Sequence, residues 1–148
     1  MSNVQPASGE KFMKASVQPL SISKTALWTG RVLSTLAVLF LAFDCAIKLM
    51  QIPQAIEGTT QLGYPASVIF PLGIIQLICL VIYVIPQTSV LGAILWTGYL
   101  GGAIATHVRL ENPLFTHILF PVYVALLLWG GLYFRNQHLR ALLPFQRD

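Results

Sequence analysis

The chain has 148 residues, of which 55% are hydrophobic and only 9% charged, with a mean hydropathy of +0.71. A soluble domain carries roughly 25% charged residues, so a water-borne domain is excluded and one membrane domain is expected at this length. The formal net charge of +4 does not point to nucleic acid, because the basic residues gather toward the two ends, as in cytoplasmic anchoring.

Residues 1–24 are polar and irregular, with Pro6, Gly9 and Pro19 among scattered charges. They read as a flexible cytoplasmic tail. A cleaved signal peptide is not expected, since the apolar stretch that follows is too long and lacks a small-residue cleavage site before its end. The first span, residues 26–50, is long enough to cross a ~30 Å hydrocarbon layer at 1.5 Å per residue. Trp28 and Arg31 suit the interface at its start, and Asp44 and Lys48 follow one turn apart near its far end.

Residues 51–64 form the longest internal connection. The second span covers residues 65–85, with a central Gln76 and with Pro71, which should kink it or mark the end of its first turns. Pro86-Gln87-Thr88-Ser89 is a tight turn in which Ser89 is positioned to cap the third span, residues 89–108. Glu111-Asn112-Pro113 turns the chain into the fourth span, residues 114–134, and a basic cytoplasmic tail, residues 136–148, follows. The fold class is therefore all-α, an integral membrane bundle of four transmembrane helices with short turns. Lys and Arg outside the helical cores lie mainly at the termini, against Lys48 and Arg109 on the opposite side, so both termini are expected in the cytoplasm.

This topology gathers Asp44, Lys48, Glu57, Tyr64, His107, Arg109, Glu111 and His117 at the outer face, while the inner half is expected to hold Arg31 and little else. Asp44 and Lys48 share a face in the favourable acid-first order. A carboxylate at membrane depth is costly unless paired, and Lys48 and Arg109 are the candidate partners. Either the pair fixes helix packing, or Asp44 handles a proton or ligand in a cavity.

On the third span Gly98, Gly102, Ala105 and Arg109 fall within about 40° of one another at 100° per residue. Such a stripe of small residues reads first as a surface for close helix approach. His107 points nearly opposite to Arg109. His107 and His117 flank the turn and are able to meet; with Asp44 or Glu111 they would make a metal set, but the spacing fits no familiar ligand motif, and no metal is assigned. A hydrogen-bonded histidine pair is preferred, responsive to pH. Cys45 and Cys79 differ in depth by roughly 13 Å, beyond the ~7 Å limit for a disulfide, and both read as core cysteines. The aromatic residues, Trp96 and Tyr99 among them, read mostly as packing or interfacial-belt residues.

Leu62-Gly63-Tyr64-Pro65, the run from Gly98 through Tyr99, Leu100 and Gly101 to Thr106, His107, Val108 and Arg109, and His117 followed by Phe120-Pro121 together resemble the DoxX-like family of small bacterial membrane proteins. Asp44 and Lys48 fit its first helix, and the resemblance covers residues 24–144. It implies four transmembrane helices in the bacterial inner membrane. The family name comes from a subunit linked to quinone-dependent oxidation of sulfur compounds, so the resemblance makes a quinone the cofactor to consider. The residues show no haem-ligand pair, flavin motif or redox-active cysteine pair.

Three functions stay open. The first is binding of a small lipophilic ligand or a membrane partner at the outer polar corner, through Asp44, Lys48, Gln76, Thr106, His107, Arg109 and His117. The second is a quinone-linked oxidoreductase subunit in which His107, Arg109 and Asp44 hold the headgroup. The third, transport, needs oligomers and a polar path past Gln76 toward Arg31, and the spans are almost wholly apolar there. Lipid is the certain partner; a protein partner or a second copy of the chain is a further expectation, and nucleic acid is not.

Overall fold

A computed structural model describes residues 23–142. The chain forms α1 (Lys24–Leu49), α2 (Pro53–Gln61), a short 3-10 turn (Ala66–Val68), α3 (Ile69–Val84), α4 (Ser89–Arg109), a π-helical turn (Leu114–Ile118), α5 (Phe120–Arg135) and α6 (Gln137–Leu142). Among the described residues no strand occurs. Four helical stretches are long and apolar enough to cross a membrane: Lys24–Leu49, Ala66–Val84, Ser89–Arg109 and Leu114–Arg135. Their outward faces are greasy. Leu39, Phe43 and Leu126 are each more than 60% exposed, a surface that water would penalise and hydrocarbon accepts. The four-span bundle expected from the sequence is the fold.

The spans form a closed ring. α1 packs against α3 and α5, α4 packs against the same two helices, and the diagonal backbones stay apart. The core between them is built from Ala37, Leu41, Cys79, Leu80, Tyr83, Ala93, Trp96, Leu100, Val124, Leu128 and Leu132. Three crossings are glycine-dependent. A Cβ on Gly131 of α5 would lie 2.3 Å from Ser34 Oγ of α1, and one on Gly92 of α4 would lie 2.4 Å from the Tyr83 backbone of α3. One on Gly73 of α3 would lie 3.0 Å from the Leu49 side chain, beside the site where Cys45 Sγ donates to the Gly73 carbonyl at 3.3 Å. Both cysteines are free and buried.

The ring has two ends. One carries the two ends of the described chain, residues 23 and 142, and the Pro86–Thr88 turn; the other carries the two longer connections. In the first of these, Pro53 opens α2, its missing N–H falling where a helix has no internal acceptor for it. α2 lies over the loop end with Thr59 buried. In the second span the 3-10 turn precedes α3, and Pro71 stands in the first turn of α3, consistent with the break expected there.

One local expectation is corrected. Ser89 does not cap α4. Thr88 is the cap residue and makes no side-chain cap bond, while Ser89 Oγ donates back to the Pro86 carbonyl at 3.0 Å. Thr88 Oγ1 donates to the Ile82 carbonyl at 2.8 Å, so one hydroxyl serves an orphan carbonyl at the end of α3 and the other the turn itself, and neither serves the amides of α4. At the other terminus, the segment read as a basic tail begins with α6, whose Leu139 is buried against the core. Residues 1–22 and 143–148, where the rest of the expected tails fall, lie outside the described residues.

Candidate functional site

Asp44 anchors the loop-end site. Its Oδ2 accepts from Lys48 Nζ at 2.5 Å and from Gln76 Nε2 at 2.6 Å. The first bond is the i, i+4 pair of one helix; the second ties α1 to α3 at a depth where Gln76 is 1% exposed. Both are charge-assisted, which roughly doubles their strength over neutral bonds. The Gln76 amide nitrogen donates to the carboxylate, while its Oε1 is buried and no protein donor reaches it.

Trp96 is the second orphan. Its ring is fully buried, yet Nε1 has no acceptor. Gln76 and Trp96 line the same cavity of about 390 Å³, enclosed by α1, α3, α4 and α5 beneath α2. That volume lies within the ~300–1,000 Å³ common to small-molecule sites. Its walls are mainly apolar, with Phe40, Leu41, Leu100, Phe120 and Val124, and the polar residues in its lining are Asp44, Lys48, Thr59, Tyr64, Tyr99, Thr106, His107 and the two that carry the orphan atoms.

The glycines of α4 have a different use from the one expected. Nothing lies within 4 Å of a Cβ built on Gly98, Gly101 or Gly102. Gly98 and Gly102 are exposed and line the cavity. The stripe is therefore no helix seam but an opening in the wall, on the exposed side of α4. The close crossings belong to Gly73, Gly92 and Gly131 instead, because there a neighbouring backbone or side chain occupies the space a Cβ would need.

The roof is clamped to α4. Gly63 takes φ +81°, a left-handed turn that suits glycine. This turn presents the Leu62 carbonyl to Arg109 Nη2, which donates to it at 2.8 Å. On the next residue, Tyr64 OH and Thr106 Oγ1 hydrogen-bond at 2.8 Å, and Thr106 Oγ1 donates to the Gly102 carbonyl at 2.9 Å. Arg109 is thus not a partner of Asp44; its reach is used on the Leu62 turn, and it lines no cavity with the carboxylate. Glu57 and Glu111 are exposed, and Glu57 accepts from Gln61 at 3.2 Å.

His107 does face inward, opposite to Arg109 as the helical spacing requires. It lines the main cavity and a shallower one of about 520 Å³ above it, shared with Lys48, Leu62 and His117. Its ring meets His117 edge-on with centroids 5.6 Å apart. Asn112 Nδ2 donates to the Leu110 carbonyl, which turns Asn112 Oδ1 toward His107 Nδ1 at 3.1 Å. Nδ1 is therefore the protonated nitrogen, and in the neutral ring Nε2 carries the lone pair. The histidines do not bond each other: His117 Nδ1 pairs with Thr116 Oγ1 at 2.8 Å. Among the described residues no three of His, Cys, Asp and Glu gather as a metal set.

A family model described as the DoxX-like family matches residues 32–131. The chain belongs to the DoxX-like family. No curated protein and no solved structure matches it. The DoxX-like match contains the whole loop-end site, from Asp44 through Gln76 and Trp96 to His117.

The opposite end is not the featureless half that the sequence suggested. Tyr83 OH hydrogen-bonds Ser34 Oγ at 3.3 Å and donates to the Leu128 carbonyl at 3.0 Å, joining α1, α3 and α5. The Arg135 guanidinium lies over the Tyr83 ring at 5.5 Å. A tyrosine in an apolar helix gave no signal of this. Only its place on the buried side, set by the tertiary fold, reveals it.

Proposed function

We propose that this membrane protein holds a small amphiphilic molecule in the loop-end cavity, with its apolar body among Phe40, Leu100, Phe120 and Val124. The head carries both a hydrogen-bond donor and an acceptor. One observation supports this reading above the others: an unpaired acceptor, Gln76 Oε1, and an unpaired donor, Trp96 Nε1, are buried in the walls of one cavity. A buried polar group without a partner costs about 1–3 kcal/mol. A ligand that pairs with both recovers that cost on binding. Asp44 and Lys48 orient Gln76 and add no net charge, so the head is neutral. His107 and Thr106 stand nearer the roof, and His117 bounds only the shallower outer space.

A second reading is a quinone-linked oxidoreductase subunit. Trp96 Nε1 suits a quinone carbonyl, Gln76 Oε1 suits a quinol hydroxyl, and His107 is available for the proton. Arg109, expected from the sequence to hold the headgroup with His107 and Asp44, is engaged with Leu62. When bound, a quinone would supply the electron chemistry; the residues of this chain would bind and orient it.

We also place the protein in a bacterial inner membrane with both termini in the cytoplasm. Lys24, Arg31, Arg135 and Arg140 lie toward the termini end, against Lys48 and Arg109 at the loop end. A protein partner or a second copy on the exposed helix faces belongs to the same reading.

The test is mass spectrometry of lipophilic molecules extracted from the gently purified protein. Wild type is compared with Trp96→Phe, Gln76→Leu and His107→Ala. A stoichiometric molecule lost in the first two variants supports the cavity reading, and if it is a quinone it selects the second. The absence of any specific molecule from wild type, with the folded state confirmed, rejects both.

A further inference from the structure

We propose a second site, for a phosphate-bearing anion, between Arg31 and Arg135 at the termini end of the bundle. It is independent of the loop-end cavity. The two arginines line one recess of about 230 Å³ together with Ser34, Thr35 and Tyr83. They are brought there by a close crossing of α1 and α5. A Cβ on Gly30 would lie 2.9 Å from the Gly131 carbonyl and 3.0 Å from the Arg135 amide nitrogen. Neighbouring Arg31 and Arg135 therefore converge across the α1–α5 seam.

No carboxylate answers these charges among the described residues. Asp44, Glu57 and Glu111 all belong to the loop end, and the ion pair formed there is that of Lys48 with Asp44. Arg135 Nη2 is buried with no hydrogen-bond partner. The position of Arg135 at the last turn of α5 suits a cation, but that does not supply an acceptor for a buried N–H.

The aromatic neighbours sharpen the chemistry. Arg135 lies over Tyr83 at 5.5 Å and Arg31 lies 6.0 Å from the Trp28 ring centre. Stacking occupies the face of a guanidinium and leaves its edge N–H groups free. Two such edges, with the Ser34 and Thr35 hydroxyls beside them, match an anion with several acceptor oxygens. Arginine forks are geometrically suited to phosphate. A lipid headgroup and free phosphate share this chemistry.

The experiment uses the full chain, exchanged from phosphatidylglycerol–phosphatidylcholine mixtures into mild detergent and examined by native mass spectrometry. Wild type is expected to retain phosphatidylglycerol, with retention falling about tenfold in Arg31→Gln and again in Arg135→Gln. Arg135→Lys should retain less than wild type, since it keeps the charge and loses the fork. Lys24→Gln, an exposed cation at the same end, should match wild type. A parallel arm adds inorganic phosphate to protein in pure phosphatidylcholine vesicles and follows thermal unfolding. Protection by phosphate, lost in Arg31→Gln, assigns the recess to the free anion; selective lipid retention alone assigns it to a headgroup. The proposal is overturned if Arg31→Gln behaves as wild type in both arms, or if Lys24→Gln loses as much lipid as Arg31→Gln does. Arg31 is exposed, so its substitution reports on the site even if Arg135→Gln fails to fold.

Discussion

Gln76 Nε2 donates to Asp44 Oδ2 at 2.6 Å, and through this bond a residue of the second span sets the orientation of the carboxylate in the first. The same bond decides which way the Gln76 carbonyl points. One interaction therefore serves helix pairing and leaves a buried, unpaired acceptor on a residue that lines the cavity.

Breaking this unit on one side should cost more than removing it. Asp44→Asn and Lys48→Met are each expected to lower stability by about 1–3 kcal/mol, because each leaves a charge at membrane depth without its partner. The double variant should be more stable than the sum of the two losses implies. A double-mutant cycle on unfolding in mixed micelles measures this. Strict additivity would show that the pair is solvated and independent.

Trp96→Phe separates binding from folding. It deletes an unsatisfied N–H and keeps most of the ring, so its stability is expected to fall by less than about 1.5 kcal/mol. Ligand retention should drop about tenfold. Comparing the thermal midpoint of ligand-free protein with the amount of co-extracted molecule checks both halves.

The glycines fall into two classes with opposite expectations. Gly131→Ala and Gly92→Ala place a Cβ within 2.3 Å and 2.4 Å of existing atoms, so both should be destabilised by about 1–3 kcal/mol through overpacking. Gly98→Ala and Gly102→Ala meet open space and should be neutral or stabilising by up to about 1 kcal/mol, the helix preference for alanine. Gly102→Leu should still fold while blocking the cavity. Thermal unfolding of the set, with ligand extraction from Gly102→Leu, tests the division.

The roof predicts a further pair. Gly63→Ala must adopt φ +81° with a side chain and should lose about 1–2 kcal/mol locally. Arg109→Gln removes the donor to the Leu62 carbonyl. In both, hydrogen exchange at residues 53–64 should rise while the spans stay protected. Unchanged protection there would show that the Arg109 contact does not hold the connection down.

Much of the fold was legible because span length and apolar composition are local properties. The Asp44–Lys48 pair was legible for the same reason: an i, i+4 spacing is decided within one helix. Gln76 was visible as a central polar residue, but its partner was not, since depth along a span does not specify rotation about it. Trp96 was read as packing because a buried indole is ordinarily core, and only the missing acceptor distinguishes it. The Gly98–Gly102 stripe was read as a seam because glycines four apart look alike whether they face a helix or a gap. Arg109 illustrates the limit from the other side. Its charge suggested Asp44, yet a backbone carbonyl, which leaves no pattern in the sequence, takes its hydrogen bond.

The unwalled glycine face of α4 also changes what an affinity would mean for this protein. A ligand of the kind proposed, entering through it, would come from the bilayer and not from water, so its occupancy would follow mole fraction in the bilayer. Lengthening an alkyl tail by one methylene enriches an amphiphile in the bilayer about fourfold, from ~0.8 kcal/mol per CH₂. Apparent potency referred to aqueous concentration would climb by that factor along a homologous series, while binding referred to membrane concentration stayed level. The first number would report partitioning, and only the second would report the cavity.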